Sequence, residues 1–222
     1  MANGSFIHVV KSDGTVWSWG NNSSGTSVSF GAPEQVIGLV DVTSIGLGYS
    51  SVFALKADGT VSAWGSNMNG QLGNGSIQAS RIPVEVIGVS DAVAIAENLP
   101  NSVYWNFVVL QDGTVKSWGH NGLGIRADGS NIFQPDPGQL SGLDDVTTVV
   151  GTSPNGTLSV YALRADNTVW AWGYNSDYQL GDGTNLSRST PQRVVGIDNV
   201  VSLVSGAVSV HALRADGTVW SW

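Results

Sequence analysis

One eight-residue word is written five times along this chain, and it limits the available folds more than any other feature. It reads DGTVWSWG at 13–20, DGTVSAWG at 58–65, DGTVKSWG at 112–119, DNTVWAWG at 166–173 and DGTVWSW at 216–222. The leading residues Asp13, Asp58, Asp112, Asp166 and Asp216 therefore stand 45, 54, 54 and 50 residues apart. Self-similarity at such a period marks a stack or ring of like units, none of which can bury its apolar face alone. Asp-Gly between two apolar runs predicts a hairpin whose central turn residues both take φ > 0. In the arm after the turn, Trp17 and Trp19, or Trp170 and Trp172, lie two apart and share a face. Eight of the nine tryptophans sit in these hairpins, so Trp here is first a packing residue. Trp105 stands outside the pattern.

Each unit divides into four short strands. The first follows a Gly-apolar-Asp (or Asn) step, at 41–48, 91–97, 145–151 and 199–206. The second and third are the hairpin arms. The fourth carries Pro, then an apolar residue, then Gly: Pro33/Val36/Gly38, Pro83/Val86/Gly88, Pro137/Leu140/Gly142 and Pro191/Val194/Gly196. Proline lacks an N–H and belongs at a sheet edge, so this strand is expected outermost and the small-residue first strand innermost. A glycine-rich connector joins the third and fourth strands and is trimmed in the opening unit. Two connections between first and second strands are longer than the rest, ENLPNSVYW at 97–105 and GTSPNGTLS at 151–159. They belong to consecutive units and would stand side by side on one rim. Four-stranded units without an intervening helical pattern predict an all-β chain, a β-propeller of four-stranded antiparallel blades.

Composition removes several function classes. Seventeen acidic against nine basic side chains give a formal charge of −8, so the basic footprint of nucleic-acid binding is missing. No cysteine is present, hence no disulfide or thiol chemistry is expected. No apolar run approaches the ~18 residues of a membrane span, so membrane insertion is not expected. The N-terminal stretch lacks the basic and long apolar regions of a secretory leader.

The combination AL-[KR]-ADGTV-x-x-WG, then G-x-N-x-x-x-QLG-x-G, then P-x-x-V-x-G resembles the regulator of chromosome condensation repeat. The resemblance covers essentially the whole chain. The second unit is nearly ideal, with Gly65, Asn67, Gly70, Gln71, Leu72, Gly73, Gly75, Pro83, Val86 and Gly88. The fourth departs at Tyr178, where the family has Gly; the first and third keep Gly20, Asn22 and Gly25, or Gly119 and Asn121, and lose QLG. The resemblance implies a closed ring of about seven blades. Only four first strands and four fourth strands can be found for five hairpins. An incomplete or open arc of about four to five blades is therefore expected. Its parts are a partial blade at 1–38, blades at 39–88, 89–142 and 143–196, and a partial blade at 197–222, within one domain. An open arc exposes blade edges, and self-association through them is expected. The spelling is closest to bacterial members of the family, favouring an extracellular or cell-surface setting over a cytoplasmic one.

Most of the chain's candidate site residues have a packing or turn explanation. His8 and His211 share a rank with Phe53, Phe107 and Tyr161, five before the hairpin Asp, which reads as packing. The five aspartates are explained by their turns. Lys11, Lys56, Arg164 and Arg214 share a rank two before that Asp, as solvated hairpin ends. His120, the GNG and GDG connectors and the remaining acids give no metal, phosphate or catalytic spacing. No catalytic residue, metal or cofactor is expected. The residues proposed for protein binding are Glu97, Leu99, Tyr104, Trp105, Ser153 and Asn155, on the two long connections, because rim aromatics dominate contact energy. The resulting expectation is a non-enzymatic scaffold for a protein partner. The alternatives are a nucleotide-exchange regulator of a small GTPase, for which no wedge loop can be identified, and a blade array of a larger bacterial surface or secreted protein.

Overall fold

The computed structural model describes residues 2–3, 6–20, 30–48, 50–96, 105–127, 129–130, 132–153, 157–206 and 209–222. Its strands form five antiparallel sheets in chain order. The first holds β1 (Ala2–Asn3), β2 (Phe6–Val10), β3 (Val16–Gly20) and β4 (Phe30–Gln35). The second holds β5 (Val42–Leu47), β6 (Ser51–Lys56), β7 (Val61–Gly65) and β8 (Ser80–Glu85). The third holds β9 (Ala92–Ile95), β10 (Trp105–Leu110), β11 (Val115–Gly119) and β12 (Gln134–Gln139). The fourth holds β13 (Val146–Thr152), β14 (Ser159–Arg164), β15 (Val169–Gly173) and β16 (Arg188–Arg193). The fifth holds β17 (Val200–Ser205), β18 (Val210–Arg214) and β19 (Val219–Ser221). Among the described residues the helical content is one 3₁₀ turn, Gly122–Gly124.

Every sheet is a simple meander, and the second, third and fourth have the strand that follows the Gly-apolar-Asp step at one edge and the Pro-containing strand at the other. Sheets touch their sequence neighbours through first and second strands, as in β2 on β5, β6 on β9, β10 on β13 and β13 on β17. The first strands are thus innermost and the proline strands outermost, as the residue types require. The opening sheet, expected to lack its first strand, has a two-residue segment there: Ala2 pairs with Ile7 and Asn3 with Phe6. Two residues carry no periodicity, so the sequence pattern could not reveal them.

The hairpin turn differs from expectation. Gly14 N–H donates to Lys11 O at 2.9 Å and Lys11 N–H to Thr15 O at 2.9 Å, and only Gly14 of the Asp-Gly pair has φ > 0. This is a type I turn closed by a left-handed residue, not a two-residue turn with both centres left-handed. The aspartate is needed for a different reason. Asp58 Oδ1 accepts the Thr60 N–H at 2.9 Å and its hydroxyl at 2.6 Å, and the same pair forms in all five copies. The turn also joins sheets: Ala92 N–H donates to Gly59 O at 3.0 Å, and Val146 N–H to Gly113 O at 2.8 Å. A Cβ on Gly59 would sit 2.5 Å from Ser90 O, so Gly serves both the left-handed turn and the close approach to the next sheet.

Between sheets the core is a ladder of aromatic pairs. The last Trp of the second to fifth words meets, edge to face, the ring of the preceding sheet five before the hairpin Asp. Trp64 meets His8 at 6.1 Å, Trp118 meets Phe53 at 6.0 Å, Trp172 meets Phe107 at 5.9 Å and Trp222 meets Tyr161 at 6.0 Å. Interplanar angles of 70–78° place hydrogen-bearing edges against π faces. The indole N–H finds a carbonyl in the preceding connector: Trp118 Nε1 donates to Gln71 O at 2.7 Å and Trp172 Nε1 to Ile125 O at 2.6 Å. Those carbonyls are held in place by a buried asparagine. Asn67 Nδ2 donates to Ser76 O and Gln78 O at 2.9 and 3.0 Å, while its Oδ1 accepts the Leu72 N–H at 2.8 Å. Asn121 and Asn175 repeat the clamp.

Tyr178 replaces the connector glycine and takes φ = 64°, the same as Gly70. At Gly70 a Cβ would meet Pro135 Cα of the next sheet at 2.5 Å. At 178 the next sheet has no fourth strand among the described residues, and the side chain is 63% exposed. Tyr178 therefore bears backbone strain with little packing in return. The substitution Tyr178→Gly should raise stability by about 1 kcal/mol, read as a higher urea midpoint at unchanged slope.

Candidate functional site

Of the six residues proposed from sequence, Glu97, Leu99, Tyr104 and Asn155 lie outside the described residues. Trp105 and Ser153 are described, and both are buried, at 5% and 6% exposure. For these two the surface expectation is corrected. Trp105 opens β10 two residues before Phe107, so both rings face the fourth sheet, with centroids 5.5 Å apart. The far edge of the indole, Cη2, lies 2.7 Å from where a Cβ on Gly151 would be, and Leu158 closes the same space. Glycine at 151 is what admits the ring. Trp105 is a between-sheet packing residue that meets Gly151 and Leu158 of the fourth sheet.

The histidine rank behaves as packing. His8 is buried under Trp64, with Nδ1 hydrogen-bonded to Ser18 Oγ at 2.6 Å. Burial pushes its imidazole down to about 4. His211 makes the matching bond to Ser221 Oγ at 2.7 Å. The turn aspartates are held below the usual carboxylate range by their threonine hydrogen bonds, Asp13 to about 2. In each, Oδ1 is engaged by its own turn. Among the described residues no group of three His, Asp or Glu could hold a metal ion.

One surface device went unread in the sequence. Lys11 lies over Trp17 at 5.3 Å, Arg164 over Trp170 at 5.9 Å and Arg214 over Trp220 at 5.8 Å. Each cation also meets carboxylates: Arg164 pairs with Asp144 at 2.6 Å and Asp166 at 3.3 Å, and Arg214 with Asp198 at 3.0 Å and Asp216 at 2.9 Å. A basic residue two before the Asp and Trp four after it coincide in these three hairpins, a spacing visible in the sequence. Such exposed stacks contribute about 0.5–1 kcal/mol each and fix the hairpin tips.

Five four-stranded or three-stranded meanders, packed in sequence through their inner strands, define a β-propeller arc. Residues 58–96 and 166–213 match the regulator of chromosome condensation (RCC1) repeat, and a second description of that repeat matches residues 42–71. The chain belongs to the RCC1-repeat family. Among curated proteins it is similar to the ultraviolet-B receptor UVR8 of Arabidopsis thaliana, 25% identical over 82% of this chain and 42% of that protein. It is also similar to the mitochondrial RCC1 domain-containing protein RUG3 of the same plant, 28% identical over 78% and 38%. The chain thus spans about two fifths of these relatives. Among solved structures, human WBSCR16 superposes with a TM-score of 0.80 at 22% identity, over 98% of this chain and 59% of that one. Yeast RCC1 (Prp20) bound to Kap60 gives 0.74 at 19%, over 92% and 50%.

Two outcomes test these assignments. Trp105→Ala should lower stability by about 3–5 kcal/mol, the cost of emptying a buried indole site, measured by urea unfolding. A loss below ~1 kcal/mol would return Trp105 to the surface. For His8, the folded imidazole resists a proton that the unfolded chain accepts from about 6.5 downward. Stability should therefore be full above pH 6.5 and fall as pH drops toward 4, by roughly 3 kcal/mol. His8→Phe, the residue type of the same rank in the second and third sheets, should abolish that part of the slope.

Proposed function

We propose that the chain is a non-enzymatic scaffold that binds another protein through loops on one rim of the arc. The observation that carries this reading is the contact of Trp105 with Gly151 and Leu158. Through it the described residues that flank the two long connections, Trp105 on the third sheet and Gly151 and Leu158 on the fourth, meet between adjacent sheets. Under this reading Glu97, Leu99, Tyr104 and Asn155 supply the contacts, while Trp105 and Ser153 support them from beneath. The engagement of every hairpin aspartate in its own turn supports a binding role over a catalytic one. The class of partner is supported by structural neighbours: yeast RCC1 (Prp20) was solved bound to Kap60, and its binding to Gsp1p and histones was described.

The test replaces residues 98–103 by a Gly-Ser segment of equal length, together with Asn155→Ala. The variant should keep the wild-type unfolding midpoint and lose the proteins that the wild type captures from an extract of its source. Capture of the same set at unchanged affinity would sink the rim-loop reading. Acceleration of labelled GDP release from a small GTPase by the wild type would replace it with the exchange reading.

A further inference from the structure

Three Asn-Gly pairs lie wholly within the described residues: Asn69-Gly70, Asn74-Gly75 and Asn121-Gly122, in the connectors of the second and third sheets. Such a pair can close on itself. The glycine nitrogen attacks the asparagine Cγ, the N–Cγ bond forms, the Cγ–Nδ2 bond breaks and ammonia leaves. Water then opens the succinimide to aspartate or isoaspartate. The step needs a glycine N–H free to leave its hydrogen bond, a carboxamide that can present Cγ, and donors at Oδ1, where negative charge develops.

The three pairs differ on each count. Gly70 N–H is held by Asn67 O at 2.9 Å, and the residue is pinned against the third sheet, where a Cβ would meet Pro135 Cα at 2.5 Å. Asn121 is 1% exposed and fixed at both ends of its carboxamide: Nδ2 donates to Ser130 O and Ile132 O at 3.0 and 3.1 Å, and Oδ1 accepts the Arg126 N–H at 2.9 Å. Gly75, by contrast, is exposed, and a Cβ on it would meet nothing nearer than Ile87 Cδ1 at 3.4 Å. Its N–H reaches Pro135 O only at 3.4 Å, beyond the ordinary hydrogen-bond range. Asn74 Oδ1 accepts the Ser76 N–H at 3.2 Å and Asn67 Nδ2 at 3.3 Å. The first of these bonds curls the side chain over the Asn74–Gly75 peptide. Together the two donors converge on the oxygen that becomes negative when the glycine nitrogen adds, as in an oxyanion hole.

We propose that Asn74 is a site of spontaneous deamidation in the folded protein, selected over Asn69 and Asn121 by the hydrogen bonds of its own connector. The fourth sheet already carries the product. Asp182 holds the rank of Asn74, seven residues after the clamp asparagine, and accepts the Thr184 N–H at 2.9 Å, its hydroxyl at 2.8 Å and Asn175 Nδ2 at 3.3 Å. Its Oδ2 also pairs with Arg188 at 2.9 Å, whereas Ser80 fills the rank of Arg188 in the second sheet. Conversion therefore places a carboxylate where the fourth sheet supplies a cation and the second does not. The inference rests on the connector alone and is independent of the rim loops.

The test incubates the 222-residue polypeptide in mildly alkaline buffer, folded and in urea, and maps mass gains of about 1 Da. Trypsin isolates residues 57–81, in which fragmentation separates Asn69 from Asn74, and residues 117–126, which carry Asn121. In the folded protein Asn74 should convert at least about tenfold faster than Asn69 or Asn121, the factor that one hydrogen bond carries. In urea that preference should vanish. Equal rates in the folded protein would overturn the proposal, as would a preference for Asn74 that persists in urea, which would assign it to local sequence. Asn74→Asp should keep the wild-type urea midpoint; a lowered midpoint would overturn the accommodation of the product.

Discussion

The arc depends on one interaction repeated between sheets: an indole set edge-on to the ring of the preceding sheet, which for Trp118 and Trp172 also places the N–H on a carbonyl of that sheet's connector. The ring pair alone contributes only about 0.5–1.5 kcal/mol beyond burial. Its weight comes from what it obliges. A buried indole N–H without a partner costs about 1–3 kcal/mol, and at Trp118 and Trp172 the connector avoids that cost by holding a carbonyl within 3 Å, whereas Trp222 Nε1 is buried without one. Gln71 and Ile125 supply that carbonyl, and the turn that presents it is fixed by Asn67 or Asn121. The connector is therefore structural, although by composition it looks like loose linker.

This coupling makes stability a matter of neighbours. Each sheet contributes one ring to the sheet behind and receives one from the sheet ahead, so interior sheets are held twice and terminal sheets once. The burial of second strands follows the same rule. Side chains of β6, β10 and β14 are buried on both faces, whereas β2 and β18 bury one face and expose the other. The hairpin tips add a main-chain link between the same neighbours, since each of the first four turns accepts the first N–H of the next sheet. The side-chain and main-chain ties thus lie at different heights of the same interface and resist its rotation together.

Much of this was legible before any coordinate. The period, the four-strand unit, the outer proline strand and the packing rank of His8 all follow from residue type and spacing. The turn was misread because Asp-Gly satisfies two geometries. Thr60 after the glycine decides between them, by giving Asp58 a partner that only the longer turn aligns. The clamp of Asn67 was hidden because asparagine in a glycine-rich stretch is what any loop contains, and its partners lie nine and eleven residues on. Trp105 was read as a surface residue since it broke the pattern; the signal for burial was Gly151, whose missing side chain accommodates the ring.

The site was less legible than the fold for a physical reason. Inter-sheet packing constrains every rank of the repeat, and so leaves its mark on every copy. A rim loop needs only to span the distance between a first strand and the second strand beside it. The packing of Trp105 against Gly151 and Leu158 holds the ends of the two long connections, and it shows in the sequence only as a large ring set opposite a glycine. The residues between those ends occupy no rank of the repeat, so the comparison of copies that identified His8 and the proline strands as packing has nothing to compare there.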